Sequence, residues 1–569
     1  MLFLGIFVVY PVIDLLAVSF TDTTGKLSLQ TFQTFIQRPV YTKVLRTTFV
    51  ISAWTTLICL VLAYPVAYYL TSSSERVRNN LLLVVLMPFW TGFLVRTFAW
   101  MVLLAKSGPL VYLAERLGVA NLSLAYNLTG VLIGMSHALL PLAVLNMLPV
   151  MQGIDRNLMQ AASVLGARRS EAFWRVYFPL SLPGVAASGL LVFITALGFF
   201  ITPTILGGPQ ETMIAQVIIV QIQELLNWRF AGVLSFVLLL SALLVYYLYD
   251  RILGVSMLVG DLQATSGPRG ASAHIERFVS AVGGCLLAVA GRFAGACARL
   301  VERLVPVHRA GRVQPRRLQL ALVGLILVFL ALPTFFVVPV SFTQSTFIDF
   351  PPRGFTFRWY AEFLQSNAWM SATVRSLYIA ATVAAVSMVL GGAAAFVLAR
   401  EQFAGKKLVM ALVLSPLILP RMVIAVALFY LLARLHIAGT DLGLILGHTV
   451  IAFPYVVVTV MVGLQTYNRL FDRAAATLGA TPSRTLRHVT LPLIKRSMLA
   501  AGIFAFMTSF DDLNIALFLT GGEQNTLPKQ MWSAMVLQAT PILGVASTVL
   551  LVLMSFFLLV AEVLRRRTR

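Results

Sequence analysis

Hydrophobic residues along this chain fall into long runs that are separated by short polar segments. A helix that crosses a bilayer needs about 20 apolar residues, whereas a membrane β-strand shows about ten residues of alternating polarity. The runs therefore predict an all-α membrane protein with twelve transmembrane helices, six in each half. The predicted spans are residues 1–20, 48–71, 81–105, 128–151, 184–206 and 231–254, then 318–340, 372–399, 408–434, 441–466, 497–520 and 542–564.

The segment between the two sets of spans has a different composition. Residues 255–317 are richer in glycine, alanine, serine and arginine, and they separate a first half (1–254) from a second half (318–569). Within them the apolar run 279–298 resembles a span, but it contains Arg292, and a thirteenth span would invert the second half. We therefore predict a cytoplasmic linker that contains an amphipathic helix lying at the membrane interface.

Arginine and lysine gather in the loops on one side of the predicted bundle. Because positively charged loops mark the cytoplasmic side, we assign that side to the cytoplasm, although loop 21–47 opposite also carries basic residues. The first apolar run, Leu2 to Phe20, lacks a basic leader and a small-residue cleavage site, which favours a spanning helix over a removed signal. The basic loops are 72–80, 152–183, 400–407 and 467–496.

Composition and charge agree with a membrane location. Of the 569 residues, 59% are hydrophobic and 11% are charged, whereas soluble domains are about 25% charged. A net charge of +22 on a soluble protein would suggest nucleic acid. Here the basic residues lie between apolar runs and no basic patch with stacking aromatics occurs, so we expect contact with the lipid bilayer and no nucleic-acid partner. Three cysteines are too few for a disulfide framework or a four-cysteine metal site.

A sequence repeat relates the two halves. Residues 160–208 align with residues 473–522, with one extra residue near the end, and both segments end in a glycine pair. Internal duplication of a membrane bundle is typical of transporters. Because each half has an even number of predicted spans, the repeats are parallel. We therefore expect two pseudo-symmetric bundles related by an axis along the membrane normal, with the transport pathway between them.

One motif occurs twice, each time in a basic loop before the fifth span of its half. Small alanines allow a short helix to seat in the groove of a partner, and a following glycine ends that helix without a Cβ penalty. These segments resemble the EAA loop of ABC importer permeases, whose coupling helix docks on the ATP-binding subunit. The Glu of the pattern is replaced in both copies, so the sequence does not show whether the usual polar contacts of that Glu form here. The predicted coupling residues are Gln160, Ala161, Ala162 and Gly166, and Arg473, Ala474, Ala475 and Gly479.

Other segments narrow the resemblance to importers of the spermidine/putrescine type. Pro88 to Thr97 is similar to the first permease of that family. Three later segments, 509–512, 518–521 and 526–528, are similar to the second permease, which is usually a separate chain. The resemblance thus implies a fused permease with the fold of a type I ABC importer.

The resemblance also implies partners and a location. They are two copies of an ABC ATP-binding subunit, an extracytoplasmic solute-binding protein and the bacterial inner membrane. No Walker A pattern occurs in the sequence, so we expect ATP to be hydrolysed by the partner subunits, with no cofactor in this chain.

Ionisable residues inside predicted spans are candidates for function because their insertion costs a few kcal/mol. Two adjacent acids in the eleventh span have two interpretations. In one, they face the pathway and attract a cationic solute; in the other, one of them forms a buried ion pair with an arginine of the third span and holds helices together. The equivalent residues of the first half, Gly198 and Phe199, are not acidic, so an acidic site would be one-sided. The candidate pathway residues are Asp511, Asp512, Arg96 and Trp90.

The sequence leaves the substrate open. A polyamine such as putrescine or spermidine agrees with the resemblance, and an ABC permease for iron(III) or opines is an alternative. A secondary transporter driven by an ion gradient is a second alternative, although it would not need two EAA-like loops. A membrane enzyme is not supported, because no acid/base or metal motif occurs.

Overall fold

The structure is a computed structural model that describes residues 2–22, 24–119, 122–155, 157–167, 169–253, 315–346, 354–521, 524–537 and 540–567. Apart from two isolated β-bridges, Thr21–Leu27 and Thr343–Phe355, the regular structure of these residues is helical. The prediction of an all-α membrane fold is confirmed. The predicted linker 255–317, except for its last three residues, lies outside the described residues, and the domain boundaries around it stay a prediction.

The first half has twelve main helices among the described residues, besides the single turn Arg169–Ala172 directly before α9 and two short 3-10 helices. They are α1 Leu2–Ser19, α2 Gln30–Gln37, α3 Pro39–Ser72, α4 Glu75–Leu86, α5 Phe93–Leu104, α6 Pro109–Arg116, α7 Leu128–Gln152, α8 Asn157–Val164, α9 Phe173–Leu197, α10 Ile201–Leu206, α11 Ile214–Gln223 and α12 Trp228–Leu253.

The second half repeats most of this order. Its described helices are α13 Pro315–Val340, α14 Arg358–Gln365, α15 Asn367–Arg400, α16 Lys406–Ile418, α17 Arg421–Arg434, α18 Asp441–Gln465, α19 Leu470–Thr477, α20 Pro482–Phe510, α21 Asn514–Leu519, α22 Leu527–Leu537 and α23 Pro541–Arg567.

Several pairs of equivalent helices in the two halves have equal lengths. Helices α3 and α15 have 34 residues each, and α8 and α19 have eight each. Short helices α10 and α21 have six residues each. The duplication that the sequence repeat predicts therefore extends over the described parts of both halves.

The predicted number of spans is not confirmed. By length and apolar composition, ten helical stretches of the described residues are able to cross a bilayer if α5 and α6 are counted together as Phe93–Arg116, and the bent pair α16–α17 counts as an eleventh. The described apolar stretch of the last helix, Pro541–Phe557, is shorter than these. A hydropathy pattern shows where apolar residues lie, but it does not show where a helix breaks.

The third and ninth predicted spans are broken. Span 81–105 divides into α4 and α5 around Gly92, which has φ 59° and ψ 154°. Span 408–434 divides into α16 and α17, which meet at an angle of 101° before Pro420. Glycine tolerates positive φ, and proline lacks the N–H that would continue a helix, so these residues place the breaks.

The fifth and eleventh predicted spans are shifted. Helix α9 ends at Leu197 and α20 at Phe510, several residues before the predicted ends at 206 and 520. The chain then turns into the short helices α10 and α21. The fifth and eleventh spans therefore end deeper in the bundle than predicted, next to the opposite half.

The halves interlock through their first helices. Helix α1 packs on α12 of its own half and on α17 of the other half, and α13 packs on α23 and on α5. Two polar contacts cross the same boundary. His137 Nε2 lies 3.1 Å from the carbonyl oxygen of Leu330, and Arg434 Nη1 lies 2.7 Å from Asp14 Oδ2. The broken third span of each half therefore lies between the two bundles.

Candidate functional site

The first predicted coupling segment is a short helix with a glycine stop. Helix α8 contains Gln160, Ala161 and Ala162, and Gly166 follows it with φ +86°. The N–H of Ala167 donates to the carbonyl of Ala162 at 3.0 Å, as in a Schellman ending. No heavy atom lies within 4 Å of the position of a Cβ at Gly166, so the positive φ alone favours glycine.

The second predicted coupling segment has the same geometry. Helix α19 contains Arg473, Ala474 and Ala475, and Gly479 follows it with φ +80°. The N–H of Ala480 donates to the carbonyl of Ala475 at 3.0 Å. Two loops of different sequence thus end their helices in the same way.

Large apolar side chains next to both glycines are exposed. Leu165 is 86% exposed and Leu478 is 87% exposed, and each comes directly before its glycine. The two loops therefore present an apolar side chain at equivalent positions.

The two candidate aspartates, although adjacent in sequence, lie in different environments. Asp512 is 3% exposed, and its Oδ2 accepts a hydrogen bond of 2.8 Å from the N–H of Ile515 in α21. The same oxygen lies 3.6 Å from Nε2 of His448, whose Nδ1 contacts Ser509 Oγ at 2.8 Å. Asp512 thus belongs to a buried polar cluster inside the second half.

Asp511 instead reaches the first half. A Cβ placed on Gly92 would lie 2.1 Å from Asp511 Oδ1, so this carboxylate occupies the space that a side chain at Gly92 would fill. Its charge also interacts with the backbone N–H of Phe93, the first residue of α5. The first N–H groups of a helix have no partner in that helix, so the carboxylate stabilises the start of α5 across the boundary.

The equivalent contact on the opposite side of the pseudo-symmetric arrangement has no carboxylate. There Gly198, after α9, faces Pro420, before α17, and a Cβ on Gly198 would lie 3.2 Å from Cβ of Pro420. Gly198 is the equivalent of Asp511, and Pro420 is the equivalent of Gly92. The same two element ends thus meet twice between the halves, once through a carboxylate at a helix start and once through apolar contact.

Arg96 does not form the ion pair that was one of the two interpretations of the acidic site. Its Nε donates to the carbonyl of Gly92 at 2.9 Å and its Nη1 to the carbonyl of Ala138 at 3.3 Å. Its guanidinium lies 4.4 Å from the ring centre of Phe93. Among the described ion pairs none joins Arg96 to Asp511, although the two charges interact at longer range.

The remaining candidate, Trp90, lies in the 3-10 turn Met87–Thr91 between α4 and α5. It is thus in the broken third span, close in sequence to Gly92. Aromatic and polar contacts nearby also join the halves. Phe200 and Trp532 have ring centres 5.3 Å apart, and Gln223 Nε2 donates to the carbonyl of Leu517 at 2.9 Å.

Comparison with known proteins decides the class of protein. Residues 60–255 and 387–569, more than half of the chain, match the family of binding-protein-dependent transport system inner membrane components. The chain belongs to this family. It is a multi-pass inner-membrane permease, a transport subunit and not an enzyme, and the family works with ATP-binding and solute-binding partners.

Three curated relatives each match less than half of the permease, although the match covers most of the relative's own length. The spermidine/putrescine transport system permease protein PotB of Escherichia coli K12 is 34% identical over 220 residues, which are 38% of this chain and 80% of PotB. PotB of Haemophilus influenzae is 31% identical over 258 residues, which are 43% of this chain and 90% of the relative. The putrescine transport system permease protein PotI of E. coli K12 is 32% identical over 254 residues, 43% of this chain and 88% of PotI.

Among solved structures, the permease is similar to a chain of the bacterial alginate ABC transporter in complex with an alginate pentasaccharide-bound periplasmic protein. The TM-score is 0.37 at 16% identity, and the match covers 43% of this chain and 88% of that chain.

Sequence reasoning selected the aspartates and the two loop glycines of the permease as candidates, and the coupling role of these glycines stays a prediction, but it missed the groups around the aspartates. Gly92, His448 and Ser509 were not assigned to the acidic site. The position of Gly92 could have been noticed, because a glycine shortly after a proline (Pro88) within an apolar run indicates a helix break at which the backbone lies close to another group. In the part of the chain that the structure describes, no cluster of three metal-binding side chains occurs.

Proposed function

We propose that this chain forms the complete membrane-spanning part of an ABC importer for polyamines such as putrescine and spermidine. An extracytoplasmic binding protein delivers the solute. Two copies of an ATP-binding subunit dock at α8 and α19 and hydrolyse ATP, and no cofactor resides in the permease. The two halves alternate between outward and inward openings, and the solute passes between them.

The repeated coupling geometry carries this proposal. One chain holds two short helices of equal length, each ended by a glycine with positive φ and each followed by the return of the chain to the bundle. Separate permeases would each supply one such helix. A chain with two of them can therefore receive a pair of ATP-binding subunits alone.

The acidic site and the relatives support a polyamine as the solute. Asp511 is partly exposed at the boundary between the halves, where a passing solute would meet it. A carboxylate in a poorly solvated passage attracts a cation more strongly than in water. Relatives named as spermidine/putrescine and putrescine permeases agree with a solute that carries several positive charges.

Native mass spectrometry of the purified complex tests the assembly. We expect one permease chain with two ATP-binding subunits, because both docking helices are on that chain. A complex with two permease chains for each pair of ATP-binding subunits would contradict the proposal.

In the same preparation, reconstituted in vesicles with the binding protein, labelled putrescine should enter only with ATP. Uptake of iron(III) or an opine instead of putrescine would show that the proposed substrate is wrong. Uptake driven by an ion gradient without ATP would show that the proposed ATP-driven mechanism is wrong.

A further inference from the structure

A cluster of polar side chains ties the second coupling helix to the membrane bundle. Asp472 lies in the first turn of α19, and its Oδ2 accepts a hydrogen bond of 2.8 Å from Arg400, the last residue of α15. Its Oδ1 accepts from the hydroxyl of Tyr467 at 2.7 Å and from Thr490 Oγ1 at 2.9 Å. One carboxylate therefore connects α19 to two neighbouring helices and to the loop before it.

The cluster is partly shielded from water. The side chains of Arg400 and Asp472 are 31% and 20% exposed. Desolvation and the hydrogen bond to Asp472 raise the pKa of the Tyr467 phenol, so it remains a donor at neutral pH. In addition, Arg469 Nη2 donates to the carbonyl of Ala399 at 2.9 Å, a second link between the loop and the end of α15.

The first coupling helix lacks this cluster. The residues equivalent to Asp472 and Arg400 are Met159 and Ser72, which carry no charge. An open cavity of about 250 Å³ lies where the cluster would be, lined by Thr71, Arg78, Met151, Gln152, Ile154 and Tyr177.

Aromatic packing takes the place of the ionic contact in the first half. The ring of Phe173 lies 5.2 Å from that of Tyr68 and 6.2 Å from that of Tyr64, both on α3. Tyr68 also lies 4.9 Å from Tyr177. The first loop is thus connected to α3 by aromatic rings and by the hydroxyls of Thr71 and Tyr177, which lie 3.4 Å apart, whereas the second is connected to α15 by charge.

We propose that Asp472, through Arg400, is the positioning residue that transmits the motion of one ATP-binding subunit into the second half. The inference rests on the proposed function of α19 as a coupling helix. A carboxylate held by three donors fixes both the place and the direction of the helix start. The first half transmits the same motion through aromatic contacts, so the two couplings respond differently to loss of a charge.

The test measures the number of ATP molecules hydrolysed for each solute imported, in vesicles that contain the whole complex. Asp472→Asn and Arg400→Gln should each raise this ratio about fivefold, since loss of about 1 kcal/mol at a partly exposed pair changes an equilibrium by that factor. The double variant should be no worse than either single variant, because both changes remove the same contact. Asp472→Glu should recover part of the coupling.

Matched controls separate positioning from charge and from folding. Glu401→Gln removes a negative charge next to Arg400 from an exposed side chain, and it should leave the ratio unchanged. Ser72→Ala, at the position in the first half that is equivalent to Arg400, removes no charge and should also leave it unchanged. If Asp472→Asn does not reach the membrane, Arg400→Lys is measured instead, and a smaller rise is expected.

A wild-type ratio in Asp472→Asn, or additive effects in the double variant, would overturn the inference. Failure of the proposed function has a different signature, because the wild-type complex itself would then import no solute when it hydrolyses ATP.

Discussion

Asp511 and Asp512 follow the last turn of α20, where the chain leaves the helix and successive side chains point in different directions. Asp512 turns inward to the N–H of Ile515 and to His448, whereas Asp511 turns outward to α5 of the other half. Adjacent acids therefore have separate functions. One stabilises the start of α21, and the other meets the boundary along which we propose that the solute passes.

Asp511→Asn should lower the uptake of putrescine for each folded permease by roughly tenfold, equal to about 1.4 kcal/mol of lost attraction for the cation. The amide oxygen of Asn still presents a partial negative charge to the start of α5, so the amount of folded protein should stay near normal. Radiolabelled uptake, normalised to permease in the membrane, measures the effect.

Asp512→Asn is the matched control for charge within the same turn. Because Asp512 is buried away from the boundary, its loss should affect uptake for each folded molecule less than that of Asp511. Equal losses in the two variants, or full uptake in Asp511→Asn, would argue against a pathway role for Asp511.

At the residue scale, sequence reasoning reached the acids because an ionised side chain in an apolar run is conspicuous. It did not reach their partners. The contact of Asp511 is with a backbone N–H beside a glycine, and neither group has a side chain that a sequence pattern would reveal. Arg96 was assigned as a possible partner by its charge, but backbone carbonyls satisfy part of its guanidinium.

The coupling helices show how much a short element depends on its last residue. Gly166 and Gly479 have φ of +86° and +80°, and a Cβ added to either would have no neighbour within 4 Å. A substitution there causes backbone strain and no collision. The result should depend on how well the new residue tolerates positive φ.

Gly166→Val and Gly479→Val should each uncouple ATP hydrolysis from uptake, because a β-branched residue at this φ costs on the order of 1–3 kcal/mol and would unwind the helix end. Gly→Asn at the same positions should have a much smaller effect, since Asn adopts this conformation more readily. Uptake and ATP hydrolysis are measured together on the reconstituted complex. Normal coupling in both valine variants would mean that these loops are not the coupling elements.

At the element scale, the repeat and the hydrophobic runs predicted most of the helices. The breaks within the third, fifth, ninth and eleventh spans were missed, since a hydropathy pattern averages over the residues that cause them. Pro88, Gly92 and Pro420 stand inside apolar runs and were treated as tolerated residues of a span. Membrane helices do accept such residues where neighbouring groups satisfy the backbone, so the presence of a proline or glycine does not by itself predict a helix break.

For the whole molecule, the sequence predicted two similar bundles but not how they hold each other. The order of helices indicates neighbours within a half, and it contains no information about α1 crossing to α17 or α13 crossing to α5. These exchanges place the broken third spans between the halves. Each half therefore contributes the end of its fifth span and the start of α5 or α17 to one shared boundary.

Gly92→Ala should disturb this boundary more than Gly198→Ala, its counterpart on the other side. At Gly92 the new Cβ would lie 2.1 Å from Asp511 Oδ1 at a φ of +59°, whereas at Gly198 it would lie 3.2 Å from Pro420. Displacing the carboxylate and straining the backbone should lower uptake about tenfold, for a cost on the order of 1–3 kcal/mol.

Uptake normalised to folded permease measures this difference, and Gly392→Ala is the control. Gly392 lies in α15 with no atom within 4 Å of a new Cβ and with no positive φ, so this variant should behave as wild type. Similar losses at Gly92 and Gly198 would mean that the two sides of the boundary are equivalent.

The unequal contacts at this boundary have a mechanical consequence. In the proposed transport cycle, opening the boundary would separate the Asp511 carboxylate from the start of α5 on one side, whereas the side of Gly198 and Pro420 would lose only apolar contact. We therefore propose that the two edges of the passage separate at unequal cost. A cationic solute would compete with the start of α5 for the Asp511 carboxylate and so favour opening, whereas a neutral solute of equal size would not.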